Sequence, residues 1–562
     1  MSEKCQYKNP QGKNICSEKI WEQSPLKFCL LHDPSFTKPG EALEALVLKK
    51  IDLKQTYFEG AIFNGPLNLR EKIFEDFANF EHCQFLGKET SFYKCQFLKG
   101  ALFNNSVFKG NRTNFARAQF EGDFALFNAV EFESFETHFY DTQFRAKHVS
   151  FAGLRSKSQE LSFKKAYFSG STFFNESQFN GDQLNFDDCK VEGNLFSFSK
   201  SKIGGKLASW NNSIINCQQI DWSETNFNSD EVLFKNLRWT SPEIIFHHSF
   251  FKNRSLSFLQ AEFQFNLLNF CHTSFQVHEF DFSETKFLNG VADFSYAYFQ
   301  SKFLKAYPLY LENQLLRFDR TEFSGDEKSI YFISSQKTQI SFVGVFFHGG
   351  TTKLKGNLEA AFFSESSLDQ VNFSEAIWEK KFSRAICMDE LNAIQSAQKE
   401  DFQKAEEVCR KIKKCYENSG NYEISSDFYY GEMECKRKAT PRAAQSGLQF
   451  MRLACGYGEK PIRVILTSWI VILLCAFLFL YGGVKTPDRI INQDFLSGFH
   501  NLKALSVDFF NCVYFSVVSF TTLGYGDYHP IGWSRIVGAS EGFMGAFFMS
   551  MYVLTIGRKL NR

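Results

Sequence analysis

Two short stretches hold residue types whose spacing could do chemistry. Near the end of the chain, residues 521–530 read TTLGYGDYHP. Gly524 and Gly526 alternate with larger residues. Glycine adopts at little cost the backbone angles that turn successive carbonyls toward one axis. Carbonyls aimed that way are candidate oxygen ligands for a cation. Near the start, residues 5–32 hold Cys5, Cys16, Cys29 and His32. Three thiolates and one imidazole are a zinc ligand set, and Cys29-x2-His32 is a chelating turn. The wider gaps between the cysteines are less diagnostic. The competing reading is three unrelated thiols and a surface histidine. Residues 1–38 form too short a segment to bury much core, so one structural zinc per subunit is the expectation.

A bare Gly-Tyr-Gly occurs by chance, and Gly456-Tyr457-Gly458 is a second copy in this chain. The elements around the motif must therefore decide its meaning. Residues 464–481 are an uncharged apolar run long enough to span a bilayer. Residues 536–556 are a second such run, with one acid, Glu541. The two spans are placed at about 463–482 and 535–557. Lys436, Arg437, Lys438, Arg442, Arg452, Lys460 and Arg463 precede the first span, and Arg558, Lys559 and Arg562 follow the second. This bias puts both ends of the chain in the cytosol and residues 482–535 outside. The motif then falls in a re-entrant loop between the spans. Residues 507–521 are apolar, lack Gly and Pro, and predict a half-membrane helix leading into it. Irregular backbone at that depth is tolerated only inside protein or along a cavity, so several copies of the loop must surround one axis. No helix carries periodic arginines, so no voltage sensor is expected.

The context SFTTLGYGD (519–527), after a pore helix and between two spans, resembles a potassium-channel selectivity filter. Residues 445–562 are similar to the two-transmembrane bacterial potassium channels. The resemblance implies a homotetramer in a lipid bilayer with potassium ions held by Thr522, Leu523, Gly524, Tyr525 and Gly526. It implies that the Tyr525 side chain points backwards to brace the filter, with support from Thr521 and Asp527. Gly545 in GFMGAFF falls at the family's inner-helix hinge. By the same register Met549, Val553 and Gly557 would face the cavity or gate. Two positions depart from the pattern. Leu523 replaces the commoner valine, and Val518 stands where some relatives hold a glutamate. Asp527 thereby loses a carboxylate partner, and Tyr514 is the candidate donor to it.

The rest of the chain is a different material. Average hydropathy is polar, yet the sequence holds 69 phenylalanines. Phe80 and Phe85, Phe92 and Phe97, Phe103 and Phe108, Phe115 and Phe120 stand five apart, and the pairs recur every eleven or twelve residues. The series persists, with a looser stretch near 300–315, to Phe373 and Trp378. Helices favour spacings of three and four and strands favour two. Alternating spacings of five and seven suit a square solenoid that stacks Phe on Phe from coil to coil. Asn, Ser, Gly and Ala between them suit tight corners. Residues 52–380 resemble the Phe-rich pentapeptide-repeat family, which implies a right-handed quadrilateral β-helix. About thirteen coils at ~4.8 Å each would make a rod of ~60 Å.

Flanking segments complete a multidomain plan. Residues 39–51 predict a helix capping the first coil. Residues 385–440 predict an α-helical hairpin linker, one helix over 388–417 and another over 422–438, resembling one tetratricopeptide-type unit. Residues 443–460 predict a helix on the membrane surface, followed by an all-α pore domain over 461–562. Net charge is +1 from 63 basic and 62 acidic residues, which gives no electrostatic footprint for nucleic acid. The N-terminus lacks an apolar leader, and the scattered cysteines suit a reducing compartment. No phosphate-binding loop or nucleophile elbow is present, so no enzyme is expected. The reading is a tetrameric, potassium-selective, multi-pass channel of the cell (inner) membrane. Its cytosolic β-helix would regulate gating or bind an unknown ligand or protein. No regulatory domain follows the second span, so soluble control is expected from the N-terminal side. A weakly selective cation channel and a membrane-anchored β-helix scaffold are the alternatives.

Overall fold

A computed structural model describes residues 4–35, 37–334, 338–493 and 502–560. The chain divides into two compact units, Met1–Glu379 and Lys380–Arg562.

The first unit is a β-solenoid. Its short strands pair in parallel, each with the equivalent strand one coil earlier and one coil later. Phe120 is in register with Phe97 below and Phe144 above. Ring centroids along that column are 4.7, 5.1 and 4.8 Å apart from Phe97 to Phe168. A second column, Phe103–Phe127–Phe151–Phe174, stacks at 4.8, 4.7 and 4.8 Å. These distances match the spacing of hydrogen-bonded strands, so one aromatic ring per coil fills the interior without a gap. Rings of neighbouring columns meet edge to face, as Phe103 and Phe115 do at 5.4 Å and 88°, the arrangement their quadrupoles favour.

Two positions before each Phe of the Phe97–Phe168 column, and at the equivalent place in other coils, lies a buried small residue, often Thr, Ser or Cys. Its side chain caps a carbonyl of the coil below: Thr142 to Phe115 O at 2.9 Å, Thr225 to Phe198 O at 2.8 Å, Thr273 to Phe246 O at 2.7 Å. Cys83, Cys95 and Cys189 occupy the same position and point their thiols at Phe58 O, Leu69 O and Phe163 O. Burial pushes the Cys83 and Cys189 thiols above the ordinary range, so they remain neutral donors. The corners differ from expectation. A left-handed residue recurs once per turn of the pattern, and long polar residues often fill it: Lys94, Arg117, Asp141, Lys165 and Glu176 all have φ between 56° and 59°. Each such residue is strained, and the coil-to-coil ladder overrides the local preference. Near residue 300 the corners open into one strand, Tyr298–Arg317, whose inward positions become Leu304, Leu309, Leu311 and Leu316.

Helix α1 (Gly40–Asp52) buries Leu43, Val47 and Ile51 on one stripe and packs beside the first coils, where Glu44 Oε1 accepts from Asn68 N at 3.1 Å.

The second unit is helical: α2 (Met388–Ser396), α3 (Lys399–Asn418), α4 (Tyr422–Ala439), α5 (Gln445–Cys455), α6 (Pro461–Gly482), α7 (Leu502–Phe520) and α8 (Ser534–Leu560). The single helix expected over 388–417 is two helices. Ala397 turns left-handed at φ 55°. The apolar stripe through Leu391, Ile394 and Phe402 carries Gln398 at its missing step, so a continuous helix would press an amide into the core. Helix α7 begins at Leu502, earlier than the expected 507. A small antiparallel sheet of Val484–Lys485, Ile490–Ile491 and His529–Pro530 joins the end of α6 to the segment before α8. Arg562 lies outside the described residues.

We expect Phe139→Ala, which removes one ring from a stacked column, to cost about 3–5 kcal/mol. Cys189→Ser, which keeps the carbonyl cap, should stay within about 1 kcal/mol of the parent. Chemical denaturation of the detergent-solubilised chain, followed by far-ultraviolet circular dichroism, compares the two. Equal losses would show that stacking and capping are not separable.

Candidate functional site

The three apolar helices of the second unit assemble around the motif. Helices α6 and α8 are each long and apolar enough to cross a membrane, and α7 is a shorter apolar helix between them. Phe479 and Leu480 of α6 pack with Cys512 and Phe515 of α7. The N-terminal half of α7 is fixed by Asp508, which is buried, ion-paired with Arg489 and bonded by Gln493 Nε2 at 2.9 Å.

Directly after α7 the chain enters the motif. Thr522, Gly524 and Gly526 have φ of 56°, 60° and 75°, while Leu523 and Tyr525 between them do not. Such alternation lets an extended backbone face successive carbonyls the same way, which a regular β-strand cannot do. A Cβ at Gly524 or Gly526 would meet nothing within 4 Å, so within one chain the glycines serve the backbone angle and not a tight fit. Among the described residues, none of the carbonyls of 522–525 accepts a hydrogen bond. Thr522 Oγ1 donates to Thr521 O at 2.7 Å, and Thr521 Oγ1 donates back to Val517 O at 2.7 Å, tying the base of the loop to the helix end. That end carries the partial negative charge of the helix dipole beside the loop, which favours a cation.

Tyr514 donates to Asp527 Oδ2 at 2.8 Å, the partner expected for it. Tyr525 is 66% exposed, so its ring is not packed against this chain. Gly545 also serves a close approach. Helix α8 runs unbroken through it, and a Cβ there would lie 1.8 Å from Phe520 O. The glycine lets α8 cross in contact with the end of α7. Met549 and Val553 are exposed and nothing lies within 4 Å of a Cβ at Gly557, so among the described residues this face of α8 is uncovered.

One residue singled out only as an interruption in the second span has a structural role. Glu541 is fully buried and meets Ser516 Oγ of α7, and the same hydroxyl donates to Ile472 O of α6 at 2.8 Å. One polar contact thereby joins all three helices. A single acid within an apolar run was the available signal, because such residues are costly unless paired inside the bundle.

The helices before α6 are fastened to the same bundle. The chance Gly456-Tyr457-Gly458 forms a turn of three positive-φ residues between α5 and α6. Tyr457 is buried and donates to Glu434 Oε1 of α4 at 2.9 Å, and Arg452 of α5 pairs with that oxygen at 3.1 Å. Burial pushes the Glu434 carboxyl up, but the Arg437 and Tyr457 bonds outweigh it and hold it below its ordinary range. Helix α5 is held in turn by an apolar cluster of Ala454 and Cys455 with Val464 of α6 and Phe548 and Met551 of α8.

In the first unit, the four candidate metal ligands Cys5, Cys16, Cys29 and His32 converge, with ligand atoms all within 4.8 Å of one another.

Residues 471–562 match the family described as ion channel, and residues 58–107 match pentapeptide repeats (9 copies). The comparisons with curated proteins and with solved structures find no match. The chain therefore carries a pentapeptide-repeat β-solenoid followed by an ion-channel domain, and it is a membrane protein. The solenoid register continues well past the matched repeats, to Ala376–Ile377.

We expect Glu541→Gln to preserve the three-helix tie, because the amide can donate to Ser516 Oγ while the hydroxyl serves Ile472 O. Glu541→Ala leaves the hydroxyl with one partner and a void beside it, at a cost of about 2–4 kcal/mol. Thermal unfolding in detergent should separate the two variants. Equal midpoints would remove Glu541 from the packing of the bundle.

Proposed function

We propose that this chain forms a homotetrameric, potassium-selective channel whose N-terminal solenoid lies in the cytosol and biases the gate. The carrying observation is the loop 522–526. Its alternating backbone leaves carbonyls without partners, on a loop exposed within one chain. At membrane depth such a loop is tenable only if other copies surround it and an ion takes the place of the missing donors. Four copies give rings of Thr522, Leu523, Gly524 and Tyr525 oxygens. The uncovered face of α8, with Met549, Val553 and Gly557, then lines the cavity below. Tyr514 and Asp527 stiffen the loop from behind.

Conduction and not catalysis is the activity. The positive-inside bias supports cytosolic termini, and the cell (inner) membrane is the location. Control from the solenoid side runs through the helical linker. Glu434 on α4 holds the turn between α5 and α6, and α5 packs on both spans. A pull on α4 therefore reaches the spans without a further contact.

Two measurements test this reading in planar bilayers containing the full chain. Under potassium on one side and sodium on the other, the reversal potential should shift toward the potassium equilibrium potential. A potential near zero would leave an ion channel that does not select. Glu434→Ala should change open probability while unitary conductance stays at the parent value. Unchanged open probability would take the linker out of gating.

A further inference from the structure

Three edges of the N-terminal cluster lie close to those of a tetrahedral metal site, and all four ligand atoms lie within 4.8 Å of one another. With metal–sulfur and metal–nitrogen bonds of about 2.3 and 2.0–2.1 Å, a tetrahedral site needs sulfur–sulfur edges near ~3.75 Å and sulfur–nitrogen edges near ~3.6 Å. The structure has Cys16 Sγ–Cys29 Sγ at 3.7 Å, Cys5 Sγ–His32 Nδ1 at 3.6 Å and Cys29 Sγ–His32 Nδ1 at 3.2 Å. The sulfur pair is far from the ~2.05 Å of a disulfide.

Local structure brings these four together. Antiparallel bridges Lys4–Lys19 and Lys8–Asn14 fold Cys5 beside Cys16. The Cys29 carbonyl accepts from His32 N at 3.1 Å and Asp33 N at 3.0 Å, closing the knuckle that puts Cys29 and His32 on one side. The surroundings orient the ligands. His32 Nε2 meets the Glu59 carbonyl at 2.9 Å, so Nε2 holds the proton and the Nδ1 lone pair faces the sulfurs. Tyr7 stacks flat on the imidazole at 4.1 Å and 3°. Cys29 N donates to Cys5 Sγ at 3.2 Å, a bond that favours a thiolate. Cys5, Cys29 and His32 are buried, whereas Cys16 is partly exposed.

We propose that Cys5, Cys16, Cys29 and His32 bind one zinc ion per chain, and that this ion locks the plug that closes the open end of the solenoid. The link to the solenoid is direct. Leu31, between two ligands, accepts from Ile62 N at 2.8 Å and so extends the hydrogen-bond ladder of the first coil. Lys38 Nζ donates to Leu30 O at 3.1 Å and Ile62 O at 2.9 Å, joining knuckle and coil. The His32 partner Glu59 is itself in that coil. Its neighbour Gly60, at φ 74°, accommodates the Tyr7 ring, whose hydroxyl would lie 1.9 Å from a Cβ. Without the ion, three sulfurs and an imidazole crowd a buried space. With it, they hold the edge of the sheet closed.

The test uses the full-length protein purified without added metal. Elemental analysis should find about one zinc per chain, falling below about 0.1 in Cys29→Ser. Should that variant fail to fold, the parent chain provides the second measurement. Cobalt(II) exchanged into it should give thiolate-to-metal charge transfer and the intense visible absorption of a tetrahedral site. Zinc chelation should speed amide exchange at Ile62 and neighbouring first-coil amides about tenfold or more, and leave coils around Phe251 unchanged. Absence of zinc together with no cobalt spectrum overturns the site. Stoichiometric zinc whose removal leaves first-coil exchange unchanged overturns the plug.

Discussion

A backbone carbonyl without a hydrogen-bond donor is the constraint on which this structure turns. Buried carbonyls are costly when unpaired, and the chain meets that cost in three different ways. Along the solenoid every coil supplies donors to the coil beneath, and small Ser, Thr or Cys side chains cap the carbonyls that the corners leave over. At its first coil, where no earlier coil exists, the Lys38 ammonium donates to Ile62 O, and the knuckle between Cys29 and His32 offers the Leu31 carbonyl to Ile62 N. In the loop after α7 the carbonyls are left open, and under the proposed function an ion takes the place of their donors.

The same logic separates the demands on the two units. The solenoid uses similar residues in equivalent places, so its stability is spread over near-equivalent interfaces. The channel domain depends on a few unlike contacts. Glu541 and Ser516 join three helices, Gly545 admits the backbone of α7, and Asp508 anchors the N-terminal half of that helix. Glu434 and Tyr457 then connect the bundle to the linker. Stability in the first unit is collective, whereas geometry in the second rests on single residues.

Several features were legible in the residues alone because they are local or periodic. A five-and-seven spacing of Phe reports a solenoid in any stretch long enough to show it. The alternating glycines of the loop report its backbone, and Tyr514 was the candidate donor to Asp527 because Val518 stands where some relatives hold a glutamate. Corner residues were misread because Lys, Arg and Glu rarely adopt positive φ by choice. The break at Ala397 shows in the stripe only once Gln398 is seen to fall on its inner face.

By itself, then, the sequence determined the repeat, the spans, the loop chemistry and the four ligand types, since each is written in neighbours or in a constant period. Tertiary structure decided which distant residues meet: His32 with the Glu59 carbonyl, Glu434 with Tyr457, Ser516 with both Ile472 and Glu541, and Gly545 with Phe520. Those pairings depend on helix crossings and coil ends, where a shift of one residue replaces the partner while leaving every local pattern intact.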